Sequence, residues 1–150
     1  TYEYDQNNNI TRKTDANGNV TSYTYDGLNR LASVTDGENG VTLYTYDKMG
    51  NLTGMNRPDS GVTTFVYDYN DKGTEKTDGM GGVTRFEYDK NGNLITETNP
   101  NGGVTLYEYD RENKQVSISS PLGRVTRYEA DAIGQLAAEV NAHDGQPAYT

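Results

Sequence analysis

The sequence contains no cysteine and no tryptophan, and only two phenylalanines and four prolines occur among its 150 residues. Without cysteine the chain forms neither disulfides nor thiolate metal sites, which is compatible with export but does not require it. Hydrophobic residues make up 32% of the chain, too few to fill a thick core. We therefore do not expect an ordinary globular domain.

Basic residues and long apolar runs are also scarce. The chain has 13 Lys and Arg against 22 Asp and Glu, a net charge of −9. No basic patch is available to replace phosphate counterions or to dock on an anionic membrane, so neither a nucleic acid nor a membrane is an expected partner. No stretch approaches the ~20 apolar residues of a membrane-spanning helix, and no window shows the apolar periodicity of an amphipathic helix.

What the sequence does contain is a repeat. The run Val-Thr-Ser-Tyr-Thr-Tyr-Asp at residues 20–26 returns in varied form, eroded in its last copy at residues 125–131. Its aspartates are spaced by 21 residues without insertion: Asp5, Asp26, Asp47, Asp68, Asp89, Asp110 and Asp131. A fixed period of this length predicts a repeat architecture. We expect residues 1–150 to be one array of about seven repeats with no separate domain, and a fragment of a longer protein because both ends fall inside a unit.

Each unit reads as strand, turn, strand, turn. Residues that tolerate positive φ occupy the third place after the repeated aspartate: Asn8, Asn29, Gly50, Asp71, Gly92, Asn113 and Gly134. A second short strand follows, for example Leu31 to Thr35, and then a second turn in which Pro58, Pro100 and Pro121 share one column. The connections are too short for parallel crossovers, so successive strands should pair antiparallel.

Strand periodicity assigns the two faces of the sheet. Thr21, Tyr23 and Tyr25 point one way, and Val20, Ser22 and Thr24 the other. Fourteen of the fifteen aromatic residues fall in two columns of the first face, and only Tyr69 stands outside them. We expect aromatic cross-strand pairs to stabilise this face, and the opposite face to be wetted. The predicted fold class is all-β: repetitive antiparallel hairpins in a sheet that twists into a curved wall.

One run carries a family resemblance. Tyr-Asp-Lys-Met-Gly-Asn-Leu at residues 46–52 and Tyr-Asp-Lys-Asn-Gly-Asn-Leu at residues 88–94, each followed by a glycine-containing turn and Val-Thr, resemble the RHS or YD repeat over essentially the whole chain. The family includes bacterial Rhs polymorphic toxins, the C components of insecticidal toxin complexes, wall-associated proteins and animal teneurins. The resemblance implies a sheet that spirals into a hollow shell, which in the bacterial cases encloses a C-terminal toxin domain. The chain departs from the pattern at Gly73, Gln115, Ala130 and Pro147, and the family's autoproteolytic aspartyl site has no match.

The residues that we single out form a structural repeat motif rather than a catalytic site. The repeated aspartate should accept hydrogen bonds from turn N–H groups. The motif consists of Tyr4, Asp5, Tyr23, Tyr25, Asp26, Tyr44, Tyr46, Asp47, Phe65, Tyr67, Asp68, Phe86, Tyr88, Asp89, Tyr107, Tyr109, Asp110, Tyr128 and Asp131. We expect no enzymatic activity, no cofactor and no metal.

Three motifs invite chemical interpretations that we reject. The adjacent His143 and Asp144 lack an accompanying nucleophile for a triad, so a surface-loop histidine is the better interpretation. The loops at residues 15–19 and 36–40 faintly resemble calcium loops but lack a terminal bidentate glutamate. The glycines at residues 79–82 and 102–103 lack the lysine and helix of a phosphate-binding loop.

Two functions remain open. The favoured one is a structural shell that sequesters an effector domain of the same chain in a bacterial toxin that is secreted or displayed at the cell surface, with type VI secretion among the candidate routes. The alternative is a carbohydrate-binding or adhesion module in which exposed tyrosines stack on sugars. The absence of tryptophan weakens that alternative.

Overall fold

The computed structural model describes residues 1–130, 136–143 and 146–149, and side chains through residue 129. These residues form strands and tight turns, and none of them lies in a helix that could cross a membrane. The strands are β1 (Tyr2–Tyr4), β2 (Ile10–Thr14), β3 (Val20–Tyr25), β4 (Leu31–Thr35), β5 (Val41–Tyr46), β6 (Leu52–Arg57), β7 (Gly61–Tyr67), β8 (Gly73–Thr77), β9 (Val83–Tyr88), β10 (Leu94–Thr98), β11 (Val104–Tyr109), β12 (Gln115–Ser119), β13 (Val125–Ala130), β14 (Leu136–His143) and β15 (Gln146–Tyr149).

The chain divides into two compact units. The first contains Thr1–Tyr67 and Lys76–Gly81, and the second contains Asp68–Glu75 and Gly82–Thr150. In the first unit each strand from β1 to β7 pairs antiparallel with the next one along the chain. In the second unit the same holds from β9 to β15. The predicted fold class, an all-β array of antiparallel hairpins, is confirmed.

Strand pairing alternates between two kinds of ladder. Within a repeat, β3 and β4 pair from Ser22↔Thr35 to Tyr25↔Leu31, with a bulge just before the tyrosine. Between repeats, β4 and β5 pair over three residues only, and the ladder stops at Ser33↔Leu43. Bulges shift register and increase the local twist. The ladder between repeats therefore stops before the end of the strand that carries the Tyr-Asp pair.

The alternation of faces agrees with the prediction. Along β5 and β11 the second, fourth and sixth residues, a threonine and two tyrosines, are half-buried, while the first, third and fifth residues are exposed. The exposed positions include Val41, Leu43, Val104 and Leu106. Among the described side chains no hydrophobic residue is fully buried, so this sheet face is a half-covered layer rather than a closed core.

The ladders of the described residues contain no aromatic cross-strand pair, so this part of the prediction is wrong. Tyr23 lies opposite Val34, and Tyr44 lies opposite Met55. Tyr107 likewise lies opposite Ile118. The reason is that each repeat places one strand without an aromatic between two aromatic strands. These three rings therefore pair with aliphatic side chains, whereas Phe86 lies opposite Glu97.

The opposite face is less uniformly wetted than expected. Ser117 retains only 4% of its surface, and it lies on that face opposite Glu108. Its hydroxyl donates to Glu108 Oε2 at 2.8 Å. Buried polar groups need such partners, so the centre of this face carries specific polar contacts.

The last repeat departs from one sequence expectation. His143 is the final residue of β14 and pairs with Gln146, so it belongs to a strand and not to a loop. Pro147 lies within β15, where it is opposite Ala142. Within the described residues β15 pairs only with β14, an edge position that a proline tolerates. The predictions made for Asp131, Gly134 and Asp144 concern positions outside the described residues.

Candidate functional site: the contacts within and between repeats

The repeated aspartate organises the first turn of every described repeat. In each case Oδ1 accepts the backbone N–H groups two and four residues further on, at 2.8–3.0 Å. The aspartate N–H also donates to the carbonyl four residues on. These are the contacts expected of an aspartate that competes for local backbone donors. They hold for Asp5, Asp26, Asp47, Asp68, Asp89 and Asp110.

The backbone of the first turn has the predicted left-handed residue. The third position after each aspartate has φ between 60° and 101°, at Asn8, Asn29, Gly50, Asp71, Gly92 and Asn113. Glycine and asparagine adopt this conformation with little strain. Six consecutive repeats thus share one turn geometry.

The predicted second turn is capped in the same way as the first, and the sequence analysis did not foresee this capping. Asp15 Oδ1 accepts Asn17 N and Asn19 N at 2.8 and 2.9 Å. Asp36 and Asn99 make the corresponding pairs of contacts. Positive φ recurs in the third place, at Gly18, Asn39, Gly81, Gly102 and Gly123. The sequence does contain a signal for this cap, because an Asp, Asn or Ser lies three residues before each of these positions.

The capping hydrogen bonds favour the ionised carboxylates. In Asp5, Asp15 and Asp89 the amide of the asparagine four residues on lowers the pKa of the carboxyl, and the N–H of that residue lowers it further. In Asp26 the N–H and then the guanidinium of Arg30 lower the carboxyl pKa. Hydrogen bonds to the charged form account for the direction of these shifts.

The second tyrosine of the motif joins neighbouring repeats. The hydroxyl of Tyr46 donates to the carbonyl of Leu31, fifteen residues earlier, at 2.9 Å. The same contact at the same distance joins Tyr25 to Ile10, Tyr67 to Leu52 and Tyr88 to Gly73. Each of these carbonyls belongs to the first residue of a strand, and in the first three junctions the ladder from that strand to the tyrosine strand stops before the tyrosine. The hydroxyl therefore satisfies a backbone carbonyl at the end where backbone pairing has stopped.

A long side chain reinforces one of these junctions. The Nε and Nη2 atoms of Arg30 contact Asp26 Oδ2 at 2.8 and 2.7 Å. Its Nη1 donates to the backbone carbonyl of Asp47 in the next repeat at 3.0 Å. The guanidinium carbon lies 4.6 Å from the ring centroid of Tyr46, within cation–π range. One arginine thus contacts the turn of its own repeat and both motif residues of the next.

Other repeats use different residues at the same position. Asn9 Nδ2 donates to Asn29 Oδ1 at 2.6 Å, and Asn93 Nδ2 donates to Asn113 Oδ1 at 2.9 Å. Lys72 Nζ donates to the carbonyl of Gly92 at 3.3 Å. The residue four places after the aspartate therefore links successive first turns at several points along the chain.

The predicted motif residues occupy equivalent places. The aromatic residues lie on β1, β3, β5, β7, β9, β11 and β13, and each described motif aspartate is the first residue after its strand. Tyr107 differs from the other members of its column because its hydroxyl donates to Glu97 Oε2 at 3.0 Å. Burial and then Glu97 raise the pKa of Tyr107.

A shallow groove lies in the second unit next to Gly73, where most other repeats carry leucine or isoleucine. Its volume is about 590 Å³, and its lining includes Tyr69, Lys72, Phe86 and Tyr88. The side chain of Tyr69 is 94% exposed. Lys72 Nζ lies 5.6 Å from the ring centroid of Tyr88 and partly covers that ring. Burial and then Asp68 raise the pKa of Tyr88.

Across the part of the chain that the structure describes, no group of three His, Cys, Asp or Glu side chains is arranged to hold a metal ion. The polar side chains of the motif are engaged in turn caps and links between repeats. The geometry is that of a repeated structural unit.

The fold is similar to that of several solved structures. Solved structures with the same fold include TcdB2-TccC3-TEV, with 16% sequence identity and a TM-score of 0.78 over 97% of this chain and 9% of that one. TcdB2-TccC3-Cdc42 has 19% identity and a TM-score of 0.70 over 81% of this chain and 7% of that one. The Photorhabdus luminescens Tc holotoxin pore has 16% identity and a TM-score of 0.52 over 97% and 12%. This chain thus spans about a tenth of the length of these structures. A comparison with curated protein sequences found no match.

The family model described as RHS Repeat matches residues 4–41, 29–62, 67–104 and 88–125, which is more than half of the chain. The matched segments contain the turn caps and the tyrosine contacts described above. The chain belongs to the RHS repeat family.

Proposed function

We propose that this segment is part of the wall of an RHS shell that encloses a C-terminal toxin or effector domain of an exported bacterial protein. The observation that carries the proposal is the tyrosine hydroxyl contact, which recurs at 2.9 Å at four junctions between repeats. Such a contact lets a sheet grow by adding equivalent units, each held by its neighbours. A wall requires this property and requires no catalytic group.

The similar structures support a toxin-complex setting, because they are toxin complexes that contain TccC3. The twist of β-strands supports curvature of an extended sheet. In this proposal the repeats perform no chemistry and keep the effector away from solvent and proteases until its release. Their partners are the neighbouring repeats and the cargo domain of the same chain, and the protein is secreted or held at the bacterial surface.

The test uses the longer protein that carries this segment. Limited proteolysis should leave its downstream domain intact in the full-length protein and digest that domain when it is expressed alone. Electron microscopy of the full-length protein should show a closed shell with internal density. A solenoid without a lumen, or equal digestion of the two forms, would contradict the proposal.

The alternative, a glycan-binding module, finds some support in the groove beside the exposed Tyr69. Two contacts weigh against it. The hydroxyl of Tyr88 already donates to the backbone carbonyl of Gly73, and Lys72 Nζ covers part of the Tyr88 ring on which a sugar would stack. Isothermal titration against a panel of glycans decides the matter. Heat that is lost in Tyr69→Ala would favour binding at the groove, and no heat from any glycan would dispose of this alternative.

A further inference from the structure

Four Asn-Gly pairs lie in the turns of this chain, at residues 17–18, 39–40, 91–92 and 101–102. Glycine has no side chain to hinder approach to its nitrogen, so such pairs are chemically predisposed to deamidation. We propose that Asn17 and Asn101 are sites of spontaneous deamidation, and that folding protects Asn39 and Asn91 from the same reaction. This proposal is independent of the shell function.

The reaction is balanced by water alone. The glycine nitrogen loses its proton and attacks the carbonyl carbon of the asparagine side chain, which forms a five-membered succinimide and expels ammonia. Water then opens the ring to aspartate or isoaspartate. The net change converts an amide and water into a carboxylic acid and ammonia, with no oxidant or reductant.

Three of the pairs have nearly the same backbone. Asn17, Asn91 and Asn101 each follow a capping residue by two positions, and their N–H groups donate to its Oδ1 at 2.8, 2.9 and 3.0 Å. The glycines that follow have φ of 86°, 85° and 80°. Each glycine N–H donates to the carbonyl of the capping residue. Differences among these three pairs must therefore come from their surroundings.

The surroundings separate Asn91 from the other two. Asn91 Nδ2 donates to Asn113 Oδ1 at 2.9 Å. The glycine after it is held too, because Lys72 Nζ donates to the carbonyl of Gly92. The side-chain amide must therefore break its contact with Asn113 before the succinimide geometry forms, and the Lys72 contact restrains the backbone of the glycine whose nitrogen attacks.

Asn17 and Asn101 have no such restraint. Both residues are exposed, and within residues 1–129 neither side chain makes a hydrogen bond. A Cβ built on Gly18 or Gly102 would meet no atom within 4 Å. The amide is therefore free to rotate towards the glycine nitrogen.

Asn39 is protected in a different way. The nitrogen that would attack, Gly40 N, donates its proton to Asp36 Oδ1 at 2.8 Å. A hydrogen bond to a carboxylate is stronger than a bond to a neutral carbonyl, and Gly18 N and Gly102 N donate to backbone carbonyls instead, at 3.3 and 2.9 Å. The loss of the Gly40 amide proton, which the reaction requires, is therefore opposed.

Deamidation at Asn17 has a structural consequence. Isoaspartate adds one methylene to the backbone between the two N–H groups that Asp15 caps, at residues 17 and 19. The carboxylate then no longer reaches both groups, and the turn loses a hydrogen bond. The same argument applies to Asn101 and its cap Asn99.

The test is peptide mapping by mass spectrometry of the intact chain after incubation at mildly alkaline pH. Asn17 and Asn101 should deamidate about fivefold faster than Asn39 and Asn91, or more, which corresponds to about one net hydrogen bond. In concentrated urea the four rates should converge, because unfolding removes the contacts that distinguish the four pairs and each of these asparagines is followed by glycine. Equal rates in the folded chain, or an unchanged ranking in urea, would overturn the proposal.

A variant isolates the restraint on Asn91. Asn113→Gly removes the amide that holds Asn91 and keeps a residue suited to the φ of 62° at that position. The Asn91 rate should rise towards that of Asn17, while the Asn39 rate should not change. An Asn91 that stays slow in Asn113→Gly refutes protection by this contact.

Discussion

The tyrosine hydroxyl contact between repeats makes a quantitative prediction. Tyr46→Phe removes only the hydroxyl that donates to the carbonyl of Leu31 at 2.9 Å. The ring remains, so its apolar contacts and its packing under Arg30 are retained. Because the site is only partly buried, water can replace the lost donor. We therefore expect the loss of one net hydrogen bond, a decrease of about 0.5–1.5 kcal/mol in the free energy of unfolding.

Urea denaturation followed by circular dichroism measures this loss, and the midpoint should fall with an unchanged m-value. For a chain of this size, 1 kcal/mol corresponds to about 2–4 °C in Tm. Tyr44→Phe is the matched control on the same strand. Its hydroxyl makes no hydrogen bond within residues 1–129, and Phe65 and Phe86 occupy its column in other repeats. Its midpoint should change by less than about 0.5 kcal/mol in equivalent free energy.

Two results would refute this reasoning. If both variants shift the midpoint equally, the effect belongs to the ring and not to the contact between repeats. If Tyr46→Phe shifts nothing, water serves the Leu31 carbonyl as well as the tyrosine does. A lower m-value in Tyr46→Phe alone would instead show that unfolding has become less cooperative between repeats.

Three further predictions concern the turns. Asp47→Ala should lower the urea midpoint because three N–H groups lose their acceptor, whereas Asp59→Ala, at an exposed turn position, should not. Acidification should destabilise the chain: the pKa values of Asp5, Asp15 and Asp89 are lowered in the folded state, so the contribution of these carboxylates is complete above about pH 4–5 and is lost as the pH falls through the folded values. A midpoint that is constant between pH 6 and about pH 2 would contradict this. Gly79→Ala should cost about 1–3 kcal/mol because its Cβ would overlap the backbone carbonyl of Ser60. Gly37→Ala, at the equivalent turn position with ordinary contacts, should be neutral in the same urea assay.

The sequence predicted the strands and the first turn well. Strand positions followed from the 21-residue period, and Leu31 to Thr35 matches β4 residue for residue. Local rules sufficed here because turn chemistry and face alternation depend on residues close in the chain. The second turn was predicted, but its caps were not, because the capping column is mixed, with Asp36, Asn99 and Ser120 in equivalent places.

The contacts between repeats could not be predicted in the same way. The sequence showed a column of tyrosines but not that their hydroxyls bond carbonyls fifteen residues earlier. It also suggested aromatic pairs, whereas the ladders place Tyr23 against Val34. Register across neighbouring strands and the bulge before each tyrosine decide these contacts, and both are properties of paired strands.

The sequence by itself determined the period, the all-β class, the turn residues and the faces of each strand, because these follow from backbone sterics and alternation within about twenty residues. Only the tertiary structure decided which carbonyl each tyrosine serves, which turns Arg30 and Lys72 connect, and which Asn-Gly pairs are held or free. These depend on how closely two repeats approach. A one-residue change in register alters that approach completely while leaving the composition and period unchanged.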